Sequence, residues 1–301
     1  MSRAKTLIRR LAAAAALLAL TGCSRSIVLN APGDVAAQQG NLIIVATVLM
    51  LLIIVPVIAL TLFFAWRYRA KANATYKPDW DHSTQLELLI WAAPLLIIIA
   101  LGAVTWITTH TLDPYRPLSR LGANKPVPAE TRPLVVEVVS LDWKWLFIYP
   151  EQGIATVNEL AAPIDRPIEF HLTSSNVMNA FYVPALAGMI YTMPGMETKL
   201  HATIDKPGQY EGFSSNYSGA GFSHMRFTFH ATDAAAFDKW VADAKQNGDA
   251  LDRGTYEQLA KPSEREPVRH YGKVDGDLYG AILNRCVEPN QMCMADMHHG
   301  N

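Results

Sequence analysis

Residues 42–66 carry no charged side chain, and neither do residues 88–109. These runs of 25 and 22 residues are long enough for a helix to cross a hydrocarbon core. In lipid each backbone amide and carbonyl must be satisfied within its own segment, so the runs must become helices. Pro56 and Pro94 lie inside them, and lipid-embedded helices tolerate proline because neighbouring groups re-satisfy the freed carbonyls. We therefore expect transmembrane helices at 42–66 and 88–110, joined by a loop at 67–87. That loop holds Arg67, Arg69, Lys71 and Lys77, whereas residues 24–41 hold Arg25 as their single basic residue. The positive-inside bias puts the loop in the cytoplasm and both flanks outside.

Arg3, Lys5, Arg9 and Arg10 precede an apolar stretch at 11–20 that is too short to span a bilayer. Residues 1–22 read as a secretory signal. Leu20-Thr21-Gly22-Cys23 is a small-residue box ending in cysteine, and it resembles the lipobox of bacterial lipoproteins, which would make Cys23 an acylated mature N-terminus. The competing reading is an incidental cysteine in an ordinary signal peptide. A single acyl chain anchors weakly, so the two spans would hold the protein in the membrane and residues 23–41 would lie in the periplasm. A composition of 50% hydrophobic and 18% charged residues excludes a disordered chain. A net charge of −1 leaves no basic footprint, so no nucleic-acid partner is expected.

After a Pro-rich linker at 111–132, short runs with β-branched and aromatic content fall at 134–140, 143–149, 168–173, 181–183, 198–204, 209–214 and 225–229. Turn residues separate them, and the spacing predicts an all-β sandwich or barrel over 133–231. His171 and His201 read as strand positions within it. A helical extension at 232–262 follows, with Thr232 or Asp233 as N-cap and Phe237, Trp240, Val241 and Ala244 on one face. Residues 263–301 read as an irregular tail. That tail concentrates sulfur and imidazole in Cys286, Met292, Cys293, Met294, Met297, His298 and His299. A Cys286–Cys293 disulfide, a mobile end without function, and a site for a soft metal are all open to it. Glu87, at the mouth of the second span, is either a boundary residue favoured at a helix N-terminus or part of a proton path. No catalytic triad, phosphate loop or acid–base pair stands out.

Three motifs in order carry a family resemblance: Asp142-Trp143-Lys144-Trp145, the stretch from Val177 to Pro184, and the loop from Ser214 to Met225. Together with the two spans they resemble subunit II of the haem-copper terminal oxidases. The resemblance covers the chain to about residue 245. It implies that the sandwich is cupredoxin-like. In the cytochrome c-oxidising branch the same frame carries the ligands of a dinuclear copper centre. Placed on this chain, the ligand positions are Asn179, Ser214, Asn216, Ser218 and Phe222, with Met225 alone retained. Serine does not bridge coppers as a thiolate does, and a phenyl ring has no lone pair to give. His224 is two residues away from the histidine position and would need a different loop path.

Loss of the ligands with the scaffold kept is similar to the quinol-oxidising branch, the cytochrome bo-type oxidases, in which a lipid-soluble quinol delivers electrons inside the membrane. The resemblance implies a proton-pumping ubiquinol oxidase in which this subunit carries no cofactor and no metal. Haems and copper are expected in subunit I, with smaller membrane subunits, lipid and ubiquinol as further partners. It makes Trp143 and Trp145 packing residues, favours proton uptake for Glu87, and fits acylation of Cys23 in the inner membrane. Two alternatives stay open: a cytochrome c oxidase subunit with a remodelled metal site, and a lipid-anchored copper carrier acting through the tail. No Cys-x-x-Cys-His haem motif is present to support the first.

Overall fold

The computed structural model describes residues 26–72, 74–75, 78–288 and 291–298. They form two units, one of residues 40–113 and one that joins the chain before residue 40 to the chain from Pro114 onward. Cys23, Lys77 and His299 lie outside the described residues.

The first unit contains most of α1 (Asp34–Arg67) and all of α2 (Thr84–Thr111), both long and apolar enough to cross a membrane. Their leucines, isoleucines and tryptophans are exposed around the helices, as expected where lipid is the solvent. Both helices begin earlier than the apolar runs. The first turns of α1 belong to the second unit, where Val35 and Ala36 are buried. There Asp34 Oδ2 accepts from Arg120 Nε at 2.8 Å and from Gln38 Nε2 at 2.7 Å. Gly33 N donates to Ala185 O at 2.9 Å, and a Cβ on Gly33 would stand 2.4 Å from Leu186 O, so only glycine permits this approach. Residues 34–41, part of the segment at 23–41 expected in the periplasm, are helical. α2 starts after Ser83, so Glu87 sits in its first turn and not in the loop.

The second unit is a cupredoxin-like sandwich. A small hairpin, β1 (Arg120–Gly122) and β2 (Lys125–Pro126), lies within the expected linker. The main strands are β3 (Leu134–Leu141), β4 (Lys144–Tyr149), β5 (Ile154–Val157), β6 (Glu159–Pro163), β7 (Ile168–Ser174) and β8 (Asn179–Tyr182). They continue with β9 (Ile190–Thr192), β10 (Thr198–Ala202), β11 (Gly208–Ser214), β12 (Arg226–Thr232), β13 (Asp249–Leu251) and β14 (Arg269–Val274). One sheet has the order β10-β7-β3-β4-β5-β14-β13 and the other β6-β12-β11-β8-β9. His171 and His201 lie on β7 and β10.

β4 is buried along its whole length because both its faces are covered. Trp145 and Phe147 point to the other sheet, with ring centroids 5.5 Å from Phe181 and 5.0 Å from Phe227 respectively. Leu146 and Ile148, on the opposite face, join a second core with Leu251, Tyr256, Leu259, Tyr271, Leu278, Tyr279 and Ile282. Each such side chain contributes about 1.5–3 kcal/mol by leaving water. The rest of the second core comes from α4 (Arg253–Ala260) and α5 (Leu278–Leu283), together with β13 and β14, whereas α3 (Ala234–Asn247) sets Phe237 and Trp240 against Tyr149 of β4. The expectation of an irregular tail from residue 263 is corrected here, because β14 pairs with β5 and extends the large sheet. Asp233 caps α3 by accepting from Ala236 N at 2.8 Å, and Phe237, Val241 and Ala244 form its buried face. The last described element is α6 (Met294–His298), preceded by a Cys286–Cys293 disulfide with a Cα–Cα distance of 4.8 Å.

Candidate functional site

β8 and β11 pair side by side, Ser214 opposite Phe181, which brings the start of one strand to the end of the other. Asn179 and Ser214 meet there, 1% and 4% exposed. The Ser214 hydroxyl donates to Asn179 Oδ1 at 3.0 Å, with Asn216 O also within reach at 3.2 Å. Asn216 Nδ2 donates to Met178 O at 3.2 Å, and Ser214 N donates to Met225 O at 3.1 Å. Met225 is itself buried. These four positions are thus tied together. Ser218 and Phe222 stand apart from this network: the Ser218 backbone carbonyl accepts from Trp143 Nε1 at 3.1 Å while its Oγ is buried without a hydrogen-bond partner, and Phe222 packs edge-on against Tyr217. His224 Nε2 lies 3.2 Å from Arg265 Nη2.

The donors gathered here are amides, hydroxyls and one thioether. A copper pair needs bridging thiolates and imidazole nitrogen, and this set supplies neither, so the residues do not fit that centre. Among the described residues no three His, Cys, Asp or Glu side chains come together as a metal cluster.

Sequence reasoning missed a strap that crosses this region. Lys144, whose side chain is fully buried, donates to Lys261 O at 2.8 Å and to Ser263 Oγ at 2.7 Å. Burial pulls its ammonium below the ordinary lysine range, while Glu266 and Asp142 oppose that shift. Asn158 Nδ2 donates to Glu266 O at 2.8 Å, so residues 261–266 are fastened at both ends. Beside them Trp143 adopts φ 68°, a backbone region that disfavours a large side chain. Its indole is held over Gly221, where a Cβ would fall 2.5 Å from the ring and 2.8 Å from Glu264 Cγ. Trp145 is wholly buried in the sandwich core. No local spacing marks these contacts, because Lys144 and Lys261 are distant in sequence.

In the helical unit, Glu87 is 54% exposed and its Oε1 lies 2.8 Å from His82 Nδ1. His82 was not singled out from the sequence, although it stands just before the Ser83 N-cap.

The comparisons agree with this architecture. Residues 150–232 match the family model "Cytochrome C oxidase subunit II, periplasmic domain", and residues 245–290 match "COX Aromatic Rich Motif". The second match covers most of the segment that builds the second core. Cytochrome bo(3) ubiquinol oxidase subunit 2 of Pseudomonas putida is 50% identical over 270 residues, covering 89% of this chain and 83% of that protein. The protein of the same name in Pseudomonas aeruginosa is 49% identical over 279 residues, covering 92% and 81%. Ubiquinol oxidase subunit 2 of Acetobacter aceti is 44% identical over 305 residues, covering 97% and 96%. With identity at this level along nearly its whole length, the chain belongs to the ubiquinol oxidase subunit 2 family.

Proposed function

We propose that this chain is the non-haem subunit II of a proton-pumping ubiquinol oxidase of an aerobic respiratory chain, in which electrons pass from ubiquinol to oxygen through subunit I. The hydrogen bond from Ser214 to Asn179 carries the reading. It closes the point where copper ligands would converge with a neutral, self-satisfied pair, so the exported domain offers a soluble donor no metal relay. The domain acts as scaffold and cover, and haems and copper belong to subunit I. Smaller membrane subunits, lipid and ubiquinol complete its surroundings. The two apolar helices and the match to a periplasmic domain support an inner-membrane location with the sandwich in the periplasm. Acylation of Cys23 adds a lipid anchor.

Glu87 takes up protons at the cytoplasmic end of α2. Its exposure and its contact with His82 support that role, since the pair could collect a proton from water and pass it on.

The test is electron paramagnetic resonance of the purified oxidase together with donor kinetics. Turnover with ubiquinol and no mixed-valence dicopper signal is the expected result. A stoichiometric dicopper signal from this chain, or turnover supported by reduced cytochrome c in place of quinol, would overturn the reading.

A further inference from the structure

Glu137 interrupts an apolar face. It lies on the same side of β3 as Val139 and Leu141, which belong to the second core, and its neighbours across the sheet are Ile148 of β4 and His171 of β7. α5 packs on that core through Leu278, Tyr279 and Ile282. The Glu137 carboxyl is thus set at the rim of the second core, where apolar cover gives way to charge. Beyond it the charged groups are tied to one another. His171 Nε2 lies 3.0 Å from Glu169 Oε1 and its Nδ1 3.1 Å from Glu197 Oε1, while Lys199 Nζ reaches Glu169 at 3.5 Å. His201 stands opposite Glu169 in the ladder of β7 and β10. Among the described residues Glu137 itself has no ion pair.

The helix above offers no compensation. α5 reads Leu278-Tyr279-Gly280-Ala281-Ile282-Leu283, without a charge, and its one polar side chain, the Tyr279 hydroxyl, is buried without a hydrogen-bond partner. Glu197 and Glu137 both act on that hydroxyl as negative charges. Tyr256 and Tyr271 are the other titratable groups of the second core, and burial keeps their hydroxyls neutral. Lys144 of β4 is committed to Lys261 O and Ser263 Oγ, and Arg285, just past α5, has its Cδ 3.8 Å from where a Cβ on Gly195 would stand. Apolar packing alone therefore seats α5 on the sheet. The tail is fastened to its end: Cys286 N donates to Ala281 O and Met294 N to Asn284 O, each at 2.9 Å. At its start Asp277 pairs with Arg253 Nη2 at 2.6 Å.

We propose that Glu137 and Glu197 act as a proton-operated latch on α5. While Glu137 holds its proton, a neutral carboxyl is tolerated at the rim of the core and the helix stays seated. When the proton leaves, two carboxylates are close together beneath an uncharged helix, and α5 swings out about the Asp277–Arg253 pair, carrying the disulfide loop and α6 and letting water reach the charge. Burial, with the Glu197 charge adding to it, pushes the Glu137 carboxyl up to about 7, so the seated form keeps a proton that the open form releases. Opening becomes easier by about tenfold per pH unit at most as pH rises from about 4.5 to about 7, and is level above that. The hold on the C-terminal segment then follows the pH around this domain, whichever electron donor the complex uses.

The experiment is hydrogen exchange with mass spectrometry on the full-length protein in detergent between pH 5 and 8.5. Rates are divided by those of unprotected amides, which removes the pH dependence of the exchange chemistry. We expect protection over residues 278–286 to fall at least tenfold from pH 5 to 7 and then level off, while residues 144–149 of β4 keep theirs. Glu137→Gln abolishes the fall and stays protected at pH 8. Glu197→Gln leaves Glu137 in place but removes the neighbouring charge, so its level part begins at a lower pH. Constant protection of α5 across the range, a wild-type fall in both variants, or a fall of equal size over β4 would each overturn the latch. Should Glu137→Gln fail to fold, Glu197→Gln decides alone, and an unmoved bend counts against the proposal.

Discussion

The Ser214 hydroxyl points at a buried acceptor, Asn179 Oδ1, in a place where water has little access. Ser214→Ala leaves that oxygen unsatisfied, at a cost of about 1–3 kcal/mol, to be seen as a lower urea midpoint with unchanged slope. Glu137 makes a second residue-level case. It stands on β3 opposite His171 of β7 and Ile148 of β4, with Glu197 and Tyr279 close enough to interact. Burial pushes its carboxyl up to about 7, and the Glu197 charge adds to the shift. Because the folded chain keeps a proton that the unfolded chain has released, stability from this group is full below about pH 4.5. It falls as pH rises to about 7 and is level beyond that. Glu137→Gln should flatten the melting temperature over that window and raise it at pH 8. A slope identical to wild type would show that another group sets it.

Among the elements, the strap at 261–266 depends most on one side chain. Lys144→Met keeps length but leaves Lys261 O and Ser263 Oγ without their ammonium partner. We expect about 1–3 kcal/mol of lost stability and faster tryptic cleavage after Arg265, read by limited proteolysis of the purified protein. The first turns of α1 provide another test at this scale. Gly33→Ala drives a methyl group into Leu186 O and Ala185 O, backbone atoms that cannot swing aside. A cost of about 1–3 kcal/mol and loss of amide protection over residues 33–38 should follow, measured by hydrogen exchange.

At the level of the whole oxidase, Glu87→Gln tests the proposed path for protons. It preserves the helix start and should slow turnover and proton uptake together in the assembled complex, while quinol affinity stays the same; unchanged turnover would return Glu87 to the role of a boundary residue. Much of this organisation is legible in the chain itself. Charge-free runs at 42–66 and 88–109 mark helices able to span a membrane because lipid permits little else, and the proposed loss of copper ligands at Ser214, Ser218, Asn179 and Phe222 is read from residue type once the family resemblance has placed the positions. Asp233 likewise announces α3, since a cap acts on amides a few residues away. Other features carry no local mark. β14 reads Arg269-His270-Tyr271-Gly272-Lys273-Val274, polar and without a clear alternation, and becomes a strand through its ladder with β5. The hold of Lys144 on Lys261, the hydrogen bond between Asn179 and Ser214, and the meeting of Met294 with Gly195 all join residues far apart along the chain. Residue type and short-range periodicity therefore determined the two long apolar helices and the early strands. Only the tertiary structure decided the second core, the strap and the Asn179–Ser214 contact, because long-range contacts form when closure of the sheets offsets the entropy of bringing distant segments together.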